Sequence, residues 1–107
     1  MSFTIISYNI WFQMKDRRAR TIALGDILKK SNADVICLQE VTANVLTYLK
    51  HILEEYKYMY PNEISSYGDV IFSKHEIIKH EIYHYKVSDM GRNLKLITIL
   101  INGKEIN

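Results

Sequence analysis

Cysteine is nearly missing from this sequence: Cys37 is the single one in 107 residues. It has no partner for an internal disulfide, which points to a reducing, intracellular setting, cytoplasm or nucleus. A zinc site built on paired cysteines is excluded for the same reason. Long apolar runs are missing too, since none approaches the roughly 18 residues that a membrane-spanning helix requires. The opening Met1-Ser2-Phe3-Thr4-Ile5-Ile6 lacks the basic start, long apolar stretch and cleavage site of a signal peptide. There is no excess of one charge: 14 basic against 12 acidic side chains leave +2, too balanced to argue for nucleic-acid binding from bulk charge. A glycine-rich phosphate loop, a Gly-x-Ser-x-Gly elbow and a Cys-His pairing are all absent. What is present is an ordinary globular mix, 48% hydrophobic and 24% charged, which argues against disorder and against a coiled coil. Its length suits one domain and no more.

Hydrophobic periodicity divides the chain into elements. Residues Phe3 to Ile10 alternate with both faces partly apolar, the mark of a strand in a sheet covered on both sides. From Asp16 to about Lys30 the pattern predicts a helix, with Asp16 as cap and Ala19, Ile22, Ala23 and Ile27 at three- and four-residue steps. Asp34 to Glu40 is a near-continuous apolar run typical of an interior strand. Thr42 opens a second helix whose buried stripe is Val45, Leu46, Leu49, Ile52 and Leu53. Strands follow at Tyr56 to Tyr60, Tyr67 to Ser73, Glu76 to Val87 and Arg92 to Ile101, the last ending in the hairpin signal Asn102-Gly103. A βαβ opening followed by strands alone predicts an α/β sandwich with a mixed sheet. Only Lys104 to Asn107 remain for the return strand, so the Leu94 to Ile101 ribbon is expected to form an open apolar edge. The chain is expected to be a truncated fragment.

Two polar residues end apolar strands. Asn9 closes Ser7-Tyr8-Asn9, and Glu40 closes Cys37-Leu38-Gln39-Glu40. In an open α/β sheet the carboxyl ends of strands face the ligand crevice, so adjacent strands would bring these side chains together. A carboxylate there suits a hard cation such as Mg²⁺, and a neighbouring amide can orient an anionic oxygen. On position alone a second reading stays open, in which Asn9 caps a loop and Glu40 caps the helix near Thr42.

These residues resemble the endonuclease/exonuclease/phosphatase superfamily. The resemblance lies in Tyr8-Asn9-Ile10-Trp11, a helix, and then Ala33-Asp34-Val35-Ile36-Cys37-Leu38-Gln39-Glu40-Val41. Further on, Tyr67-Gly68 with Val70-Ile71-Phe72-Ser73-Lys74 is similar to the next strand of that fold, and Met90-Gly91-Arg92-Asn93-Leu94 resembles a segment of its tyrosyl-DNA phosphodiesterase 2 subgroup. The fold implied is the N-terminal half of a four-layer α/β sandwich of the deoxyribonuclease I type, with residues 1–107 forming a partial domain cut before its second half. The resemblance implies Glu40 as ligand of Mg²⁺, with Mn²⁺ as an alternative, and Asn9 as the residue placing the scissile phosphate. Tyr67 would line the substrate groove, and Arg92 would face a phosphate, where a planar bidentate donor is preferred. For Tyr67 a packed strand-entry aromatic, and for Arg92 a solvated surface charge, remain the structural alternatives. The implied substrate is a DNA end bearing a 5′-phosphotyrosyl-type adduct, or another phosphodiester such as a sphingolipid or inositol phosphate. A non-catalytic remnant acting as a binding module is the reading from a different class.

The departures bear on activity. The family's later Asp-x-Asn box, Ser-x-His segment and late His have no counterpart, so this chain alone is expected to be inactive. Ser73-Lys74-His75 spells Ser-x-His but falls where the family has a strand-end Ser-Lys. Trp11 stands where many vertebrate phosphodiesterases carry Asp. The pair His80 and His84, on one face of a strand, would lie roughly 13 Å apart, too far for one ion. The basic run from Lys15 to Arg20 reads as the solvated start of a helix.

Overall fold

The computed structural model describes residues 3–10, 17–64, 66–84 and 93–107. Among the described residues nine elements follow one another: β1 (Ile5–Asn9), α1 (Arg17–Ser31), β2 (Val35–Thr42), α2 (Ala43–Ile52), β3 (Tyr58–Tyr60), β4 (Tyr67–Ser73), β5 (Glu76–His84), β6 (Asn93–Ile101) and β7 (Lys104–Ile106). They form two sheets, a mixed one ordered β1-β2-β4-β3 and an antiparallel one ordered β5-β6-β7. β1 and β2 run parallel because α1 carries the chain back between them, as a parallel pair requires. β4 then pairs antiparallel with both β2 and β3.

Alternation along β2 builds two cores. Ile36 and Leu38 point to the helical side and are fully buried with Leu28, Leu49, Leu53 and Phe72. Val35 and Cys37 point the other way, where Val35 and Ile71 meet Ile99, Ile97 and Ile101 of β6. The result is helices, mixed sheet and second sheet stacked as three layers, an α/β arrangement with a mixed sheet as the sequence predicts. Each fully buried Leu or Phe side chain contributes roughly 1.5–3 kcal/mol relative to exposure.

Three details differ from the sequence reading. In α1 the buried positions are Thr21, Gly25 and Leu28, while Ile22 and Ile27 remain 42% and 65% exposed. The helix is where periodicity puts it, but the steps through Ile22 and Ile27 do not mark its buried face. Close approach decided the face: a Cβ at Gly25 would stand 3.0 Å from the Tyr48 ring, so the glycine lets α1 settle against α2. Secondly, β2 continues two residues beyond Glu40, to Thr42. Thirdly, β6 is the middle strand of its sheet and not an edge. β7 covers only Ile99 to Ile101, so on that side no described strand pairs with the Leu94 to Thr98 stretch. The turn between β6 and β7 takes positive φ at both positions, 49° at Asn102 and 80° at Gly103, which is the chemistry that dipeptide signals. Asp16, Trp11 and the 85–92 segment lie outside the described residues.

Candidate functional site

Asn9 is the last residue of β1 and stands beside Gln39 of β2 in register. The Ile10 amide donates to the Gln39 carbonyl at 2.9 Å, and Arg20 Nη2 of α1 donates to the Ile10 carbonyl at 2.9 Å. The strand end carrying Asn9 is thus tied to β2 and to α1.

Glu40 is placed by a β-bulge. Leu38 pairs with Val70 and Val41 with Gly68, so three steps on β2 match two on β4. The extra residue shifts the alternation: after Ile36 and Leu38, it is Val41 that returns to the helical core. A regular strand would send residue 40 into that core, and the bulge removes it. Glu40 has φ of 58°, in the left-handed region that an L side chain enters at a cost of about 1–3 kcal/mol. One type of bulge normally places glycine in such a conformation. The helix-cap reading of Glu40 fails here, because the α2 cap is Thr42, whose Oγ1 accepts from the Val45 amide at 3.4 Å.

Gln39, the neighbouring bulge residue, uses both hydrogens of its amide. Nε2 donates to Ser7 Oγ on β1 and to the Cys37 carbonyl on its own strand, each at 3.2 Å. Tyr67 opens β4 opposite Thr42, so it lies at the same sheet end as Asn9 and Glu40. Arg92 lies outside the described residues, but its neighbour Asn93 begins β6. The other end of β6 can be placed, since Ile101, Asn102 and Lys104 share a cavity of about 380 Å³ with Phe3, Asp34 and His75. Asn93 therefore points toward the Asn9–Glu40 end. Sequence reading missed Lys95, a half-buried cation that lines the inter-sheet cleft with Cys37 and Ile97 and donates to Asn93 Oδ1 at 2.9 Å. Its position on the apolar-facing register of β6 was the available signal.

The opposite end of the sheet is a closed network. Asp34 Oδ1 meets His75 Nε2 at 2.8 Å, and Oδ2 accepts from the Thr4 amide at 2.8 Å. Its hydrogen bond with His75, then that with the Thr4 amide, hold the Asp34 carboxyl below its ordinary value despite an opposing desolvation. Ser73 Oγ donates to the His75 carbonyl at 2.7 Å and accepts from the His75 amide at 2.9 Å. Ser73 and His75 thus shape the β4–β5 turn. Burial pushes the Cys37 thiol up, so it stays protonated and weakly nucleophilic. His80 stacks on Tyr60 with ring centroids 4.3 Å apart.

Among the described residues no three His, Cys, Asp or Glu side chains converge as a metal cage. Glu40 contributes a carboxylate and Asn9 an amide oxygen, and no third such ligand converges with them among the described residues. Zinc, which takes three or four protein ligands, does not fit so sparse a donor set. A hard cation that keeps several waters and takes one or two carboxylates does. No helix among the described residues is long and apolar enough to cross a membrane.

Comparison with known proteins bears on the family and the fold. A 5′-tyrosyl-DNA phosphodiesterase of Caenorhabditis briggsae is 30% identical over 106 residues, covering 96% of this chain and 30% of that protein. The chain therefore spans about a third of the length of the curated relatives it matches. The crystal structure of truncated Caenorhabditis elegans TDP2 superposes with a TM-score of 0.85 at 28% identity, over 96% of this chain and 43% of that one. D. rerio TDP2 complexed with single-strand DNA product shares the fold, with a TM-score of 0.89 at 23% identity, over 97% of this chain and 43% of that one. The endonuclease/exonuclease/phosphatase family model matches residues 6–106, and the chain belongs to that family.

Proposed function

We propose that the intact protein is a Mg²⁺-dependent phosphodiesterase acting on DNA ends that carry 5′-tyrosyl-type adducts, and that residues 1–107 form the first part of its catalytic domain. The observation that carries this reading is Glu40, held at positive φ in a bulge beside Asn9 at the carboxyl end of parallel strands. Family membership and the 30% identity to a 5′-tyrosyl-DNA phosphodiesterase support the substrate class. A substrate of that class fits the cytoplasm or nucleus.

In this reading Glu40 holds Mg²⁺, or Mn²⁺ in its place. The ion would supply Lewis-acid stabilisation of charge on a phosphoryl oxygen. Asn9 would help place the scissile phosphate through its side-chain amide. Tyr67 packs against a sugar or base, and Arg92 pairs with a backbone phosphate. Water activation falls to residues outside this chain, since the Asp-x-Asn and Ser-x-His motifs have no counterpart in it. The 107-residue chain by itself would then lack turnover.

An oligonucleotide with a 5′-phosphotyrosyl end tests the assignment. The intact protein with Mg²⁺ should release tyrosine and leave a 5′-phosphate, whereas the 107-residue chain should not. Hydrolysis of sphingomyelin or an inositol phosphate in preference to that oligonucleotide overturns the DNA assignment and keeps the reaction class. Absence of any phosphodiesterase activity in the intact protein overturns both.

A further inference from the structure

We infer that Gln39 is a positioning residue: its amide, braced on Ser7, holds the bulge that turns Glu40 out of the strand. The inference rests on Glu40 being the metal ligand proposed above, and goes beyond it by naming what aims that ligand.

The geometry points to this role in three steps. A bulge leaves two residues of one strand opposite a single partner, and here Gln39 and Glu40 separate the paired Leu38 and Val41. If Gln39 were unrestrained, the chain could slip by one residue, return Glu40 to the regular alternation and relieve its positive φ. Three contacts oppose the slip. The Gln39 carbonyl accepts from the Ile10 amide, one amide hydrogen goes to Ser7 Oγ across the strand pair, and the other returns to the Cys37 carbonyl. Both donors of the side chain are thereby used, one of them on the strand that carries Asn9. Ser7 stands in register with Cys37 and Asn9 with Gln39, so the brace also spans the two strand ends at the site. An apolar side chain at position 39 could fill the space but make neither bond.

Mg²⁺ alone is the probe, titrated calorimetrically into the intact protein, with the Glu40 backbone amide shift followed in parallel. Changing an outer partner of a metal ligand commonly weakens metal affinity about 10–100-fold. Gln39→Met should therefore raise the Mg²⁺ dissociation constant by about tenfold and move the Glu40 amide signal. Ser7→Ala, which removes only the cross-strand acceptor, should act in the same direction and more weakly. The double variant should match Gln39→Met, because the Ser7–Gln39 bond that Ser7→Ala removes is already lost in Gln39→Met. In activity assays, raising Mg²⁺ should restore turnover to Gln39→Met but not to Glu40→Gln. Unchanged Mg²⁺ affinity and an unmoved Glu40 signal in Gln39→Met overturn the inference, as do additive losses in the double variant. If Gln39→Met does not fold, unchanged affinity in Ser7→Ala overturns it equally. If Glu40→Gln binds Mg²⁺ like the parent, the metal assignment itself falls and takes the brace with it. Loss of binding in Glu40→Gln alone rejects only the brace.

Discussion

Two carboxylates stand at opposite ends of β2, and the two ends treat them differently. Asp34, just before β2, has one oxygen on His75 and the other on the Thr4 amide. Glu40, near the other end, sits in a bulge at positive φ. Asp34 ties β1, β2 and the β4–β5 turn together, so its bonds stabilise the fold that makes them. Glu40 is held in a conformation that costs about 1–3 kcal/mol of backbone strain. Such strain persists only where the surroundings over-determine it, which is common at functional sites. The difference between a carboxylate that holds the fold and one that the fold holds is visible in the backbone before any ligand is considered.

The largest expected effect breaks the comparison at the Glu40 end. Glu40→Ala in the intact protein should lower turnover by at least about a hundredfold, since the metal's contribution to phosphoryl-charge stabilisation would be lost. Alanine keeps a Cβ and so keeps the backbone strain, and the variant should still unfold cooperatively as a folded protein. Urea unfolding together with initial rates checks both halves. A variant that is unstable but fully active per folded molecule would make Glu40 a structural residue after all.

At the other end the signs reverse. Asp34→Ala should leave activity per folded molecule unchanged and destabilise by about 1.5 kcal/mol, the low end for hydrogen bonds to a partly exposed charged group. The pH dependence follows from the depressed carboxyl. In the unfolded chain Asp34 titrates near its ordinary value of 3.8, and in the folded one below it. Its contribution is therefore fully present above the unfolded value and is lost as pH falls through the folded one. Denaturation curves collected downward from pH 5 should show a shallower acid-side loss in Asp34→Ala than in the parent. Identical slopes would mean that the His75 and Thr4 contacts do not favour the charged form.

How much of this was legible in the sequence depends on how local the cause is. β4 was readable to the residue, Tyr67 to Ser73, because its composition and flanking polar loop define it. The Asn102–Gly103 turn was readable for the same reason. The buried face of α1 was not legible, because Ile22 and Ile27 outweigh Gly25 in any count of apolar side chains. The glycine mattered through Tyr48, a residue 23 positions later. Sequence reading selected Asn9 and Glu40 as strand-end residues, and the structure brings them to one end of neighbouring strands. It did not detect the bulge, since a strand apolar on both faces shows no break in phase. One trace existed: Ile36, Leu38 and Val41 share a face, and the last interval is three where a regular strand allows two. The Ser7–Gln39 bond had no signal at all, because it depends on which strands become neighbours.

A smaller effect probes the join between the bulge and α2. Thr42→Ala removes the side-chain acceptor for the Val45 amide. Cap losses usually cost about 0.5–2 kcal/mol, and a bond of 3.4 Å belongs at the low end. About 0.5 kcal/mol of destabilisation is expected, with Mg²⁺ affinity unchanged. A loss of metal affinity would show that the helix start, and not Gln39, sets the Glu40 geometry.

The smallest expected effect is also the one whose sign is least intuitive. Glu40→Gly removes the same carboxylate as Glu40→Ala and should lower turnover to the same extent. In stability the two should part company. Glycine takes a φ of 58° without the steric penalty of about 1–2 kcal/mol that a Cβ brings there. Against this, glycine makes the unfolded chain more flexible, which costs roughly 0.4–1 kcal/mol. The difference favours the variant by about 0.5 kcal/mol or slightly more. Measured side by side in urea, Glu40→Gly should unfold at a higher midpoint than Glu40→Ala, with equal slopes. A midpoint at or below that of Glu40→Ala would mean that the bulge does not strain residue 40, and the contrast with Asp34 would then rest on position alone. A higher midpoint would make Glu40 a residue whose side chain the protein keeps at a cost to its own stability.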